Sequence, residues 1–561
     1  MVGNKMKNIL LCAVNSKYIH SSPAVRYLKT AADILLPENE YAASVFESSI
    51  NDTSEHIIYS IMKRKPDVIG FSCYIWNISF IEKLCRSIKA IDEKIKIILG
   101  GPEVSYGINH TDLRENDYDL IVSGEGEKAF SAAVLFLDGK EIPDVLNAEI
   151  NGRIVTADYI KNLDDIPFIY NEENIADFDN RIIYYESSRG CPFSCAYCLS
   201  SVCGKVRYLS LERVKSDIDF FIEHNAAQVK FVDRTFNCSP ERAQKIWEYI
   251  LKRSADSRTN FHFEIGADLI TEKQIELLGQ MPAGKIQLEI GIQSTNEASL
   301  KESCRYAPNN LIFRNVKALR AAGNINLHTD LIAGLPYESL ERFIESFNEV
   351  YELNAHQLQL GFLKLLSGAP LNNLIEKHGY VFTSYPPYEI LKNRYISYDE
   401  IQHLKEIEDV LEKYFNSGRF VLSLKELEKH FKNPFEMFHE IAEFFKEKNL
   451  TFASVSSKKL YDILNEFSKT YGADISELLL TDFYLSENSE IPPESLKPLV
   501  PMNKFAHPAA VRLLKDEGLS REKKIFAKFI NNKALIIDYA DRNPVDGRYR
   551  LLCERTVSFD E

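Results

Sequence analysis

The chain has 561 residues, 45% of them hydrophobic and 26% charged, with a net charge of −14. That length exceeds one ordinary core and calls for three or four domains, and the composition is that of a soluble globular protein. No apolar run reaches the length of a membrane span, the start at Met1 does not read as an export signal, and the acidic balance argues against a nucleic-acid partner, whose phosphates demand basic surface.

From the N-terminus, strands and helices alternate. Residues 8–14 form a short, continuous apolar run of the buried parallel type. A helix is expected over Pro23–Leu35, with proline in its first turn and Ser21 or Ser22 as cap. Strands are expected at 42–46 and 67–72, and helices at 54–64 and Ile78–Ile91. The fourth strand, 96–99, runs into Gly100-Gly101-Pro102. The fifth, 120–123, ends in Gly124-Glu125-Gly126-Glu127. This βα repetition predicts a doubly wound α/β sheet, Rossmann-like or flavodoxin-like, over residues 1–145. Such sheets take ligands outside the carboxyl ends of their strands. The glycines and Ser72 stand at those ends, where bare backbone lets a large ligand approach closely. A tight turn is the plainer reading of either glycine pair alone. His20 falls in the first strand-to-helix loop, either as a histidine bonded to backbone or as one that approaches a bound group.

Residues 146–180 turn irregular and acidic and read as a linker with a β-like stretch at 150–154. A strand at 181–188 then delivers Gly190-Cys191-Pro192-Phe193-Ser194-Cys195-Ala196-Tyr197-Cys198. Three thiolates packed this closely can face one metal centre. A [4Fe-4S] cluster on three protein sulfurs keeps one iron open to an outside ligand. Zinc wants a fourth protein ligand from a second CxxC or an HxxxH pair, and none follows nearby. A zinc site and three unrelated core cysteines remain the alternatives. Ten cysteines in a chain read as lacking an export signal suggest a reducing compartment, hence a cytoplasmic enzyme. Further strands at 229–233, 261–265, 286–291, 325–331 and 357–362, spaced by helices, predict a partial (β/α)6 TIM-like barrel over 181–375, reactive at the strands' carboxyl ends. Those ends carry Asp233-Arg234-Thr235, Glu289-Ile290-Gly291-Ile292-Gln293-Ser294 and Asp330-Leu331-Ile332-Ala333-Gly334-Leu335-Pro336.

CxxxCxxC with an aromatic in the last spacer resembles the radical S-adenosylmethionine (SAM) superfamily. The resemblance implies that Cys191, Cys195 and Cys198 hold a [4Fe-4S] cluster and that its fourth iron chelates SAM, which is cleaved to a 5'-deoxyadenosyl radical. It implies that Tyr197 packs on adenine, that Glu289 bonds the ribose, and that Gln293 and Ser294 line the cofactor pocket. The Asp330 segment is similar to the superfamily's DxIxGLP turn. Arg234 offers two parallel donors to the SAM carboxylate, with Asp233 beside it. Gly100-Gly101, Gly124-Glu125-Gly126 and Ser72 resemble the cobalamin-binding domain of one radical SAM class, whose turns cradle the nucleotide tail. The DxHxxG loop that supplies a cobalt ligand in many cobalamin proteins is absent. His20 stands where that histidine would, facing corrin or substrate.

Cys203, Cys238 and Cys304 have spacings unrelated to any ligand motif; ordinary thiols and a second cluster are both conceivable, with Cys238 the best placed. From 376 to 561 a mainly helical accessory domain is expected, with helices at 399–415, 424–431, 434–448 and 459–471 and a small terminal sheet at 524–529, 534–539 and 548–552. It resembles a C-terminal domain of unknown function found in some cobalamin-dependent radical SAM proteins, most clearly at 414–420.

The resemblance implies a cobalamin-dependent radical SAM enzyme using a [4Fe-4S] cluster, SAM and cobalamin, and methyl transfer to an unactivated carbon as its reaction. Cyclisation or rearrangement with cobalamin in electron transfer is one alternative. An RNA-modifying radical enzyme is another, although Cys12, Cys73 and Cys85 are too scattered for the extra N-terminal cluster that reading needs. The expected partners are a small-molecule or peptide substrate and an external electron donor such as flavodoxin or ferredoxin, with no membrane.

Overall fold

The computed structural model describes residues 6–557 apart from 255, 502 and 520–523, with backbone only for 203 and 503–506. The chain divides into two compact units. The first comprises residues 1–269, 303–305 and 363–394; the second comprises 270–302, 306–362 and 395–561.

In the first unit, β1 (Lys7–Asn15), β2 (Tyr41–Ser49), β3 (Val68–Ser72), β4 (Lys96–Gly100) and β5 (Leu120–Val122) pair in parallel in the order β2-β1-β3-β4-β5. This is the doubly wound sheet expected from the sequence, with its switch point between β1 and β3. β1 is an inner strand and carries apolar side chains to both faces, so each face has its own core. The order continues through β7 (Ile154–Ala157) to β6 (Ala148–Asn151). The first part of the stretch read as a linker, residues 148–157, is thus a β-hairpin closed by a two-residue turn, with Gly152 at φ +58°, and β7 lies parallel to β5. Ser22, expected as a helix cap, makes no side-chain cap bond; its backbone amide donates to Glu47 Oε1 at 2.7 Å.

The same unit holds β8 (Ile183–Tyr185), the short antiparallel pair β9 (Ser188–Arg189) and β10 (Arg207–Tyr208), then β11 (Gln228–Phe231) and β12 (Asn260–Ile265). β8, β11 and β12 run parallel. The second unit carries β13 (Ile286–Gln293), β14 (Asn326–Ala333) and β15 (Gln357–Phe362), also parallel, each preceded by a helix. The six barrel-type strands of the sequence reading are therefore all present, three in each unit. Residues 363–394 add the antiparallel pair β16 (Val381–Phe382) and β17 (Ile390–Lys392) to the first unit.

The rest of the second unit is helical: Tyr398–Leu411, Val421–Leu427, Pro434–Glu447, Ser457–Thr470, Ser476–Ser486 and Asn503–Asp516. The antiparallel strands β18 (Ile525–Ile530), β19 (Lys533–Arg542) and β20 (Tyr549–Thr556) close it. Ser476–Ser486 was not expected. Its buried residues, Leu479, Leu480, Asp482, Phe483, Tyr484 and Leu485, follow one another almost without a break, so it shows no helical stripe.

Candidate active site

The cysteine loop begins where β9 ends. β9 and β10 pair Arg189 with Arg207 and Ser188 with Tyr208, closing residues 190–206 into a loop with a fixed base. Gly190 opens it at φ +106°, and a Cβ there would meet Lys205 O at 2.2 Å, so only glycine can enter this turn. Two backbone bonds pin the loop's middle: the Ala196 amide donates to Ser303 O at 2.9 Å, and the Leu371 amide to Ala196 O at 2.8 Å. Cys191 is buried; Cys195 and Cys198 are half-buried. Burial pushes the Cys191 thiol up, and the Thr235 hydroxyl, 4.0 Å away, pulls back. Arg305 Nη1 lies 3.9 Å from Cys195 Sγ. Tyr197 is half-buried, and burial of its hydroxyl holds it far above the usual range.

The loop offers three sulfurs as donors. A single zinc ion, at about 2.3 Å from each sulfur, needs its ligand atoms within about 4 Å of one another. Among the described residues, the group of three ligand atoms drawn within 4.8 Å is His403, His439 and Glu443, not the cysteine trio. Three loop sulfurs suit a cluster, in which each grips a separate iron.

Asp233, expected among the SAM-binding groups, is spoken for. Both carboxylate oxygens are taken: the Ser187 amide and hydroxyl donate at 2.9 and 2.7 Å and the Ser188 hydroxyl at 2.5 Å. It ties the end of β11 to the segment that launches the cysteine loop. Burial pushes its carboxyl up to about 6 despite these donors. Arg234, the next residue, lines a cavity together with Ser72, Gly100, Gly101, Gly124 and Gly126. The structure thus turns it toward the glycine turns.

That cavity, of about 450 Å³, lies wholly within the first unit. Its floor is the carboxyl ends of β3, β4 and β5, brought level by the register Ser72–Gly100–Val122. Gly101 sits at φ +111°, and a Cβ there would meet Cys73 O at 2.5 Å. Gly124 sits at φ +86° with nothing within 4 Å of where a Cβ would project, leaving room for a ligand to lie against backbone. The opposite wall comes from Glu186, Ser188, Arg189 and Gly190, and from Leu199 and Ser200, directly after Cys198.

Glu125 also borders the cavity, but its carboxylate is committed. Burial opposes its ionisation, yet Arg207, Arg189 (3.4 Å) and the Ile160 amide (3.0 Å) hold it below the usual carboxylate range. Arg189 further bridges Glu186 and Glu127, each at 2.8 Å. This ion-pair chain was invisible in the sequence, as was Arg305, because each links residues far apart in the chain.

His20 is not part of the cavity wall. Its Nδ1 sits 2.6 Å from Tyr184 Oη, and burial together with Lys17, Lys230 and Arg181 lowers its pKa. This contact ties the first strand-to-helix loop to β8. Cys238 pairs with the Tyr208 hydroxyl at 3.3 Å, Cys304 adopts φ +54°, and the side chain of Cys203 lies outside the described residues. Cys12, Cys73 and Cys85 are fully buried, with thiols pushed up by burial.

In the second unit, Glu289 and Gln293 lie on β13, with Asp330 on β14 opposite Gly291. The register slips between Gly291 and Gln293, and Gln293 takes φ +72°, a costly conformation for a side-chain-bearing residue. His328 Nε2 stands 3.1 Å from Asp330 Oδ1. Ser294 departs from expectation. Fully buried, it donates to Glu338 Oε1 at 2.5 Å and accepts from the Asn296 amide at 2.9 Å, so it braces the bulge. Glu338 in turn is pushed up to about 7 by burial.

Three family profiles match the chain in order: B12 binding domain at residues 10–134, Radical SAM superfamily at 185–350, and Protein of unknown function (DUF4080) at 376–536. The 2-(S-pantetheinyl)-carbapenam-3-carboxylate methyltransferase of Streptantibioticus cattleyicolor is 26% identical, over 57% of this chain and 50% of that protein. The cobalamin-dependent radical SAM methyltransferase TokK of Streptomyces tokunonensis is 25% identical, over 56% and 50%. The chain therefore spans about half the length of these curated relatives. The structure of the apo, cobalamin-dependent S-adenosylmethionine radical enzyme OxsB shares the fold, with a TM-score of 0.57 at 14% identity over 85% of this chain and 80% of that one. No helix among the described residues is long and apolar enough to cross a membrane.

Proposed function

The chain belongs to the radical SAM proteins that join a B12-binding domain to a C-terminal DUF4080 domain, and from this premise we propose that it is a cobalamin-dependent methyltransferase acting on an unactivated carbon. One observation carries the reading: a single cavity is bordered by the glycine turns of the N-terminal sheet and by Gly190, Leu199 and Ser200, the residues flanking the cysteine trio. A cluster with SAM and a corrin, when bound, supply one-electron cleavage of SAM and methyl transfer, chemistry that belongs to the cofactors.

The chain's own residues provide the placement. Cys191, Cys195 and Cys198 would hold the cluster, and the Arg305 guanidinium stands beside Cys195 Sγ. Gly100, Gly101, Gly124 and Gly126, with Ser72, present bare backbone and a hydroxyl to the corrin's tail, and Arg234 brings a positive charge to the same wall. Tyr197, Glu289, Gln293 and Asp330 are the groups for SAM; Asp233 and Ser294 hold such groups in place. The functional division keeps the bounds 181–375 and 376–561, while the hairpin 148–157 joins the N-terminal domain. A small-molecule or peptide substrate, a cytoplasmic setting and an external one-electron donor of the flavodoxin or ferredoxin type complete the reading.

The test is anaerobic reconstitution with iron, sulfide, cobalamin and methyl-labelled SAM, under a low-potential reductant. Formation of 5'-deoxyadenosine together with label transferred to the bound corrin is the expected result. Protein that takes up cobalamin but leaves SAM intact would overturn the radical reading. Protein that cleaves SAM but binds no cobalamin would overturn the methyltransferase reading.

A further inference from the structure

The imidazoles of the C-terminal helices take no part in the chemistry above. His403 lies on the helix Tyr398–Leu411, and His439 on the helix Pro434–Glu447, where Glu443 follows one turn later on the same face. His439 Nδ1 and His403 Nε2 stand 3.1 Å apart, with ring planes at 77°. One ligand atom each from His403, His439 and Glu443 falls within 4.8 Å of the others. Two imidazole nitrogens bound at about 2.0–2.1 Å to one tetrahedral ion lie about 3.3 Å from each other. The pair is already at that spacing.

The remaining ring nitrogens add a second observation. His403 Nδ1 faces Glu406 Oε2 at 3.6 Å, and His439 Nε2 faces Glu440 Oε1 at 3.9 Å. Both separations are longer than a hydrogen bond, but each carboxylate stands beside the nitrogen that a metal-bound histidine turns to its outer-shell partner. Lys446 is the internal competitor, with Nζ 3.5 Å from Glu443 Oε1 and 3.6 Å from Glu406 Oε2. Its side chain is more than half exposed, so it can swing into water and release both carboxylates.

We propose that His403, His439 and Glu443 form a site for a divalent transition ion of the zinc class, which clamps the two helices together. Two imidazoles and one carboxylate select zinc, cobalt or nickel over magnesium or calcium, which prefer oxygen donors. Half-exposed His439 and Glu443 leave a path for the ion, and the fourth position stays open to water. The site is independent of the radical chemistry, and either assignment can fail without the other.

The metal-free full chain is titrated with Zn²⁺ by calorimetry alongside His403→Gln and His439→Gln, so that binding by the loop cysteines cancels. The parent should take up one more equivalent than either variant, and Co²⁺ in its place should give visible bands of nitrogen and oxygen ligation that both variants lack. Glu406→Gln should weaken binding about tenfold. Equal Zn²⁺ stoichiometry in parent and both variants overturns the proposal. Should the histidine variants not fold, Lys446→Met decides: removing the competing ammonium should tighten Zn²⁺ binding severalfold, and unchanged or weaker binding overturns it.

Discussion

The cavity of the first unit and the helical core of the second both bury charge, in opposite ways. In the helical core Asp482 is fully enclosed. It accepts from the Leu422 amide at 3.2 Å and from the Ser423 amide and hydroxyl at 2.9 and 2.7 Å, and it pairs with Arg548 at 2.7 Å. Tyr414, Phe420, Tyr461 and Phe483 pack ring against ring nearby. In the cavity, Arg189, Arg207 and their glutamates are just as well paired, yet they border open volume floored by glycine. Buried charge alone therefore does not mark a site. Buried charge beside unfilled space and bare backbone does.

The contrast can be broken most sharply at the cysteine loop. Cys191→Ser, Cys195→Ser or Cys198→Ser should each abolish the iron–sulfur absorption of reconstituted protein and all SAM cleavage. Cobalamin uptake should persist, because the glycine floor is untouched. In the helical core, Asp482→Ala strands the Arg548 charge and should cost about 3–5 kcal/mol in urea denaturation, with cofactor binding per folded molecule unchanged. On the cavity floor, Gly101→Ala combines a left-handed backbone with a collision at Cys73 O. It should destabilise the first unit by about 2–4 kcal/mol and weaken cobalamin binding. Gly124→Ala, with free space around it, should cost only about 1 kcal/mol in stability.

Asp233 sharpens the comparison through pH. Its carboxyl titrates at about 6 in the fold against an ordinary 3.8, with burial the main cause. The folded state thus holds this proton more tightly than the unfolded chain, so the associated stability is full below about pH 4 and is lost as pH rises through about 6. The loss is on the order of 3 kcal/mol. Asp233→Asn, which cannot ionise, should flatten the urea-midpoint slope across that window. The smallest effect is expected at His20. His20→Ala should leave the spectrum of bound cobalamin unchanged and cost about 1 kcal/mol through the lost Tyr184 bond. A spectral shift would move His20 back to the corrin.

Much of the architecture was legible because its signals are local. The continuous apolar runs of β1, β3 and β4 announced a parallel sheet, and the helix Pro23–Leu35 begins at its proline. The hairpin at 148–157 escaped because its two strands are short and half-exposed and look like an irregular connector. The partners of Asp233 and Ser294 stayed hidden for another reason: a polar residue at a strand end looks the same whether it awaits a ligand or is bonded by a serine or glutamate from elsewhere. His403 and His439, 36 positions apart, form a pair only once two helices pack.

The sequence by itself determined the cluster-type cysteine loop, the glycine-ended strands and the order of the domains, since short spacings and continuous hydrophobic runs act over a few residues of backbone. Only the tertiary structure decided which charges are spent on one another. It joined the glycine turns and the cysteine loop around one cavity, set Arg305 against Cys195, and closed His20 onto Tyr184. Hydrogen bonds and ion pairs depend on distance in space, which packing sets and chain spacing does not.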